Sequence, residues 1–251
     1  MDFVSSPVRF LKKKEPIYQI STLQSLVMGN YYGSASVEHL LQHGDTGLGM
    51  FEAADGELIM IDHLCYRILG DGRAVLASPD ERVTFASVSF LEVGDRIDFG
   101  HVESLNDLRA ELDKRVKILG PNNLYVLRID GEFRRVAART ELKQQPPFQK
   151  FADVLARDER RFVFENISGS LVCFYHPAYL EGVNTSGWHF HFLDEERTCG
   201  GHVFDMEMTK GRALLNQTDR FIMDLPHNPE FQKASLADAS KDEIKDIEQG
   251  G

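Results

Sequence analysis

The 251-residue chain has little of what would place it among secreted or membrane proteins. Its three cysteines, Cys65, Cys173 and Cys199, form no Cys-x-x-Cys pair, so a disulfide framework is not expected and a reducing compartment is favoured. No apolar run approaches the roughly 20 residues that span a bilayer. The first residues lack a signal-peptide core, because Pro7 and the charges of 12–14 interrupt it. We therefore expect a cytoplasmic protein with no membrane partner.

Basic residues are also scarce, with 28 Lys+Arg against 39 Asp+Glu and a net charge of −11. This balance argues against a nucleic-acid partner, which would need a basic surface. Hydrophobic residues make up 42% of the chain, which excludes a disordered protein. A chain of this length can bury enough surface for one large domain or two small ones.

Strand-like runs outnumber helices and predict a β-rich α+β fold. Ser104 is a good N-cap for a helix whose apolar residues recur at helical spacing until Gly120. Another helix is expected after Pro147, and the capping pair Ser240 and Glu243 predicts a tail helix. The segments predicted as strands include 18–27, 47–51, 57–66 and 84–93, a pair at 123–129 and 131–138, and recurring strands over 162–209.

We divide the chain into an N-terminal arm (1–16), an N-terminal β-rich half (17–140) and a C-terminal half (141–251). In each half a helix, a strand and a turn precede a Gly-x-Leu stretch, at Gly56 and at Gly169. One interpretation is a duplicated unit, with a mixed sheet and helices in each half. The other is a coincidence between two ordinary α/β segments.

Three histidines in the C-terminal half carry the strongest chemical signal. His189 and His191 alternate with aromatic residues, so in a strand they share one face while the aromatics face a core. A polar turn and a second alternating run follow, and a hairpin between the two runs brings His202 beside the first two histidines. Three neutral imidazoles with an open fourth position are the ligand set of a catalytic zinc site. The sequence therefore predicts a metal site on this hairpin, although histidines on a polar sheet face are the simpler alternative.

Spacing alone leaves a second metal-dependent class open. In cupins a His-x-His pair is followed about four residues later by a glutamate ligand, and Glu195 has that spacing. His202 comes too soon for the second cupin motif, which argues against an oxygenase or isomerase of that class. A non-catalytic metal-binding protein is a further alternative.

The chain resembles the acetolactate decarboxylases from about Tyr18 to its C-terminus. Several stretches match in order: Tyr18-Gln19-Ile20-Ser21-Thr22, His43-Gly44-Asp45-Thr46-Gly47-Leu48-Gly49, Asp55-Gly56-Glu57-Leu58, Gly182-Val183-Asn184, Gly187-Trp188-His189-Phe190-His191-Phe192 and Gly200-Gly201-His202-Val203. The resemblance implies a dimeric zinc enzyme that converts 2-acetolactate, a small anionic 2-hydroxy-3-keto acid, to acetoin and carbon dioxide. It assigns the zinc to the same three histidines.

The resemblance also implies three catalytic residues: Glu57 from the Asp-Gly-Glu-Leu stretch, Arg139 from the segment before the mid-chain prolines, and Glu248 near the C-terminus. Decarboxylation of a 3-keto acid leaves an electron pair as an enediolate, for which a metal is an electron sink. Arg139 is expected to bind the carboxylate or the developing charge, and the two glutamates to move protons. Met50 departs from the family, which usually has threonine there, so the substrate contacts differ at that point.

Overall fold

The computed structural model describes residues 14–91 and 94–236, which form two β-sheets packed face to face. The strands, in chain order, are β1 (Ile17–Ile20), β2 (Ala35–Ser36), β3 (Thr46–Phe51), β4 (Glu57–Ile61), β5 (Leu64–Ile68), β6 (Ala74–Leu76), β7 (Arg82–Ser89), β8 (Asp95–Phe99), β9 (Leu124–Glu141), β10 (Glu159–His176), β11 (Gly187–Asp194), β12 (Gly200–Thr218) and β13 (Phe221–Asp224). The β-rich prediction is confirmed.

The first sheet contains eight strands in the order β13-β1-β7-β3-β4-β5-β6, with β2 paired to β7. It is mixed, because β1 and β13 run parallel while its other pairings are antiparallel. The second sheet has the order β11-β10-β9-β12-β8, and all its strand pairings are antiparallel. The mixed sheet predicted for each half is therefore found only in the first of these sheets.

The second sheet closes on itself at one end, because β11 pairs with both β10 and β12. One face of this coiled sheet covers its own core, in which Trp188, Phe190 and Phe192 pack against the helix Leu105–Leu119. The other face packs against the first sheet through a separate apolar cluster that includes Leu48, Ile59 and Phe174 of the two sheets. The alternating pattern of β11 thus places its aromatics in the core and its histidines between the sheets.

The helices are short and lie outside the sheets. They are α1 (Leu23–Val27), α2 (Val37–Leu41), α3 (Leu105–Leu119), α4 (Phe151–Asp158) and α5 (Pro229–Lys233). Ser104 caps α3 through its hydroxyl, which accepts from the Asp107 N–H, and Gly120 ends it, as predicted. No helix of the described residues is long and apolar enough to cross a bilayer.

Two of the predicted strands are wrong in their extent. The strand expected over 18–27 ends at Ile20, because Ser21 takes a left-handed conformation (φ 69°) and Thr22 caps α1 by accepting from the Ser25 N–H. The run 57–66 is a hairpin that turns at Asp62 and His63, both with positive φ. Local turn geometry overrides the apolar pattern in both places.

The strand pair expected over 123–138 is one continuous strand, β9. Gly131, which predicted a turn, instead lies opposite Gly169 of β10 and Gly211 of β12. A Cβ on Gly131 would lie 2.7 Å from the carbonyl oxygen of Lys210, so the glycine serves close strand approach. Strand β9 belongs to the second sheet although nearly all of it lies before residue 141, and the division into related halves stays a prediction.

Candidate metal centre

The β11–β12 hairpin brings three histidines together, as the sequence predicted. His191 of β11 lies directly opposite His202 of β12, and His189 shares the face of His191 two residues earlier. All three side chains are buried, with at most 6% of their surface exposed. Their ligand nitrogens lie within 4.8 Å of one another. The closed end of the second sheet therefore carries a compact cluster of imidazoles facing the first sheet.

The nitrogens point at a shared centre. His189 Nε2 lies 3.1 Å from His191 Nε2 and 3.0 Å from His202 Nδ1. His191 Nδ1 lies 2.9 Å from the carbonyl oxygen of Leu58 in β4, which assigns its proton to Nδ1 and leaves a lone pair on Nε2. A single proton on His189 Nε2 would have to serve two acceptors, whereas a cation at the centre would accept all three lone pairs.

Burial keeps the rings of His189 and His191 neutral. Desolvation, with a smaller effect from the charges of Arg139 and Arg109, lowers the pKa of His189 to about 3. Desolvation also lowers the pKa of His191 well below its ordinary value, although the hydrogen bond to Leu58 opposes this. A neutral imidazole is the form that ligates a metal, so His189 and His191 are in the form that a metal requires.

Two glycines before His202 allow the strands to meet at this point. A Cβ on Gly200 would lie 2.2 Å from the carbonyl oxygen of Phe192, and one on Gly201 would lie 2.6 Å from that of Arg139. Gly201 also has φ 154°, at the edge of the region that favours glycine. Side chains here would push β12 away from β11 and β9, and His202 would leave the cluster.

Glu57 begins β4 beside the cluster. Its carboxylate Oε2 lies 3.6 Å from His191 Nε2, and its side chain is 5% exposed. Gly56, with φ 93°, makes the turn before it, and a Cβ there would lie 2.0 Å from the Ile68 carbonyl oxygen. Met50 lies opposite Glu57 on β3 and is buried, so an apolar side chain stands next to the carboxylate.

Arg139 reaches the same region from β9, where it lies opposite His202. It is 4% exposed, and its Nη1 donates to Glu159 Oε1 at 3.1 Å. Because directly opposite residues of an antiparallel pair share a face, the Arg139 side chain lies on the same face of the sheet as His202. Within the described residues, the structure thus brings together five of the six residues predicted for the site.

The sixth, Glu248, lies outside the described residues, as does the tail helix predicted from Ser240. Glu195, the ligand expected for a cupin, is exposed in the β11–β12 turn, lines a groove with Arg197, and is not part of the histidine cluster. The cupin interpretation therefore lacks the glutamate ligand that it requires.

Two contacts of the site were missed by the sequence reasoning. One is the Leu58 carbonyl that orients His191, and the other is Glu159, which pairs with Arg139 across β9 and β10. Only the strand register brings Glu159 and Arg139 together, and no local motif marks either contact.

Known proteins match this chain over most of its length. A family model described as alpha-acetolactate decarboxylase matches residues 17–238. The alpha-acetolactate decarboxylase of Methanosarcina mazei is 37% identical over 232 residues, which cover 92% of this chain and 80% of the relative. That of Bacillus subtilis strain 168 is 35% identical over 234 residues, covering 92% and 89%.

Solved structures agree with these matches. The crystal structure of alpha-acetolactate decarboxylase from Bacillus subtilis strain 168 superposes with a TM-score of 0.89 at 32% identity, covering 94% of this chain and 100% of that one. A Staphylococcus aureus protein of unknown function, described as similar to alpha-acetolactate decarboxylase, gives a TM-score of 0.85 at 30% identity, covering 91% and 97%.

The fold and the site first define a class, a two-sheet enzyme with a buried three-histidine centre compatible with a metal ion. The matches narrow that class to one family. The chain belongs to the alpha-acetolactate decarboxylase family, whose members are carboxy-lyases, and the resemblance predicted from the sequence is confirmed.

Proposed function

We propose that this protein decarboxylates 2-acetolactate to acetoin at a zinc ion held by His189, His191 and His202. The observation that carries the proposal is the convergence of three buried imidazoles beside a carboxylate and a guanidinium. Family membership supplies the substrate, because the relatives are named for it.

The donor set fits zinc. In a tetrahedral zinc site with bonds of about 2.0–2.1 Å, neighbouring ligand nitrogens lie about 3.3–3.4 Å apart. The contacts of 3.0 and 3.1 Å that His189 makes with His202 and His191 are close to that spacing. Three nitrogen donors and no carboxylate among the ligands leave the full double charge available and a coordination position open.

A bound zinc supplies Lewis acidity toward the keto oxygen of the substrate. Arg139 binds and orients the substrate carboxylate, because it is the one buried Arg or Lys in the described part of the chain and lies opposite His202. The C–C bond to that carboxylate then breaks, carbon dioxide leaves, and the electron pair passes into an enediolate. Burial of these groups excludes bulk water and strengthens each of these contacts.

One proton must then be added to the carbon that lost the carboxylate. Glu57 lies within 3.6 Å of His191 and is therefore placed to hold a proton next to the reacting carbons. Acid–base assistance of this type contributes about 10²–10⁴-fold to a rate. Glu248 is proposed from the family resemblance as a second proton carrier. The homodimeric state, the cytoplasmic location and the division at residues 140 and 141 stay predictions.

The direct experiment is acetoin formation from 2-acetolactate, followed together with carbon dioxide release. We expect turnover by the purified protein, loss of turnover after chelation, and recovery when zinc is restored. A protein that binds zinc and releases no carbon dioxide from 2-acetolactate would be a metal-binding relative without this activity.

A further inference from the structure

We propose that Glu159 is a positioning residue that holds the Arg139 guanidinium at the substrate carboxylate, with Arg161 fixing Glu159 in turn. The proposal rests on the proposed function, because it deepens the part assigned to Arg139. It begins from a diagonal ion pair between two strands of the second sheet, in which Arg139 Nη1 donates to Glu159 Oε1 at 3.1 Å.

The ion pair joins a buried charge to a partly buried one. The Arg139 side chain is 5% exposed and that of Glu159 is 15% exposed. An arginine side chain has several rotatable bonds, and a buried guanidinium needs an anion or acceptors to hold one orientation. Glu159 supplies both the charge and a fixed direction for Nη1.

Glu159 itself is held from outside the site. Arg161 Nε donates to Glu159 Oε2 at 2.6 Å, and Arg161 Nη2 lies 3.5 Å from Oε1. The Arg161 guanidinium lies 4.9 Å from the centre of the Phe204 ring, so its own position is restrained by a cation–π contact. A chain of contacts thus runs from the surface at Phe204 through Arg161 and Glu159 to Arg139.

The register explains why the carboxylate is needed. Arg161 lies directly opposite Arg139 across the β10–β9 pair, and two like charges in that relation repel. A dication held by the histidines would add to the positive charge around Arg139. Glu159 lies two residues before Arg161 on the same strand face. Its carboxylate offsets this repulsion and holds the Arg139 guanidinium in one orientation.

The test compares Glu159→Ala, Glu159→Gln, Arg139→Ala and the double variant Glu159→Ala/Arg139→Ala, all zinc-loaded. Glu165→Ala is the matched control, since Glu165 is an exposed carboxylate on the same strand. We expect Glu159→Ala to keep its metal and lower kcat up to about 100-fold, as misplacement of about 1 Å does. Glu159→Gln, which keeps an acceptor for Nη1, should recover part of the loss.

The double variant separates positioning from a general structural role. If Glu159 acts through Arg139, Glu159→Ala should change kcat less than about twofold when Arg139 is already alanine, because coupled residues are not additive. Losses that multiply in the double variant would overturn the proposal, and so would a wild-type kcat in Glu159→Ala.

Ligand binding gives a readout without turnover. The ligand 2-hydroxy-2-methylpropanoate carries a carboxylate but no keto group. Calorimetry should show that it binds Glu159→Ala about tenfold more weakly than the wild type, because the charge-assisted contact of Arg139 with the ligand carboxylate is lost. Glu159→Ala should bind neutral acetoin as tightly as the wild type does. Glu165→Ala should bind both ligands as tightly as the wild type does. Equal affinity of the wild type and Glu159→Ala for 2-hydroxy-2-methylpropanoate would overturn the proposal. Absence of acetoin formation by the wild type would instead overturn the proposed function alone.

Discussion

His176 gives a sharp test of how burial sets the chemistry between the two sheets. It ends β10 with no exposed surface, and its ring packs parallel to Phe174 and edge-on to Phe221. Within the described residues, neither ring nitrogen has a hydrogen-bond partner. Desolvation, with a smaller effect from His189, lowers the pKa of His176 to about 3. The perturbation is His176→Phe, which keeps an aromatic ring and removes the titration.

The size of the effect follows from the difference between the folded and unfolded pKa values. The unfolded histidine titrates near its ordinary pKa of 6.5, so below that pH the unfolded chain binds a proton that the folded protein does not. His176 therefore lowers the free energy of unfolding as the pH falls from about 7 toward 3, with no further loss below that. Nearly all of the loss between pH 7 and pH 5 falls below pH 6.5, and at 1.36 kcal/mol per pH unit over about 1.5 units it is about 2 kcal/mol.

The assay is urea unfolding of both metal-free proteins at pH 7 and pH 5. Contributions of the other histidines are common to both proteins and cancel in the comparison. We expect the wild type to lose about 2 kcal/mol more than His176→Phe between the two pH values. Equal losses would show that His176 has an ordinary pKa, and the burial argument would fail.

Other variants separate the parts of the proposed site. Glu57→Gln should keep its zinc and lower kcat about 10²–10⁴-fold if the carboxylate carries a proton; loss of zinc would instead make Glu57 a ligand. Glu195→Ala should keep both zinc and turnover, because Glu195 is exposed outside the cluster; loss of zinc would restore the cupin interpretation. Truncation after Lys241 should leave a folded protein with impaired turnover, and full activity would remove Glu248 from the mechanism.

The sequence predicts the three-histidine cluster better than it predicts the contacts of the residues around the cluster. Strict alternation in β11 assigns His189 and His191 to one face, and the short polar turn limits where His202 can lie, so local periodicity is sufficient to predict the three-histidine cluster. The pairing of Arg139 with Glu159 depends on the register of two 18-residue strands, which no local pattern encodes.

The fold errors have a related physical cause. Gly131 is typical of a turn when its neighbours along the chain are considered, but its place is decided by the close approach of β10 and β12. Ser21 similarly ends β1 through a left-handed backbone conformation that an apolar pattern does not predict. Contacts between distant segments decide the position of Gly131, and local backbone geometry decides that of Ser21, so the apolar pattern predicts neither.

The proposed function requires that imidazoles from two neighbouring strands share one dication. The most direct measurement is elemental analysis of the purified protein, of His202→Ala and of the control His101→Ala, whose histidine is exposed. We expect about one zinc per chain in the wild type and the control, and almost none in His202→Ala, with acetoin formation lost in parallel. Undiminished zinc in His202→Ala, or a fully active wild type that holds no metal, would contradict it.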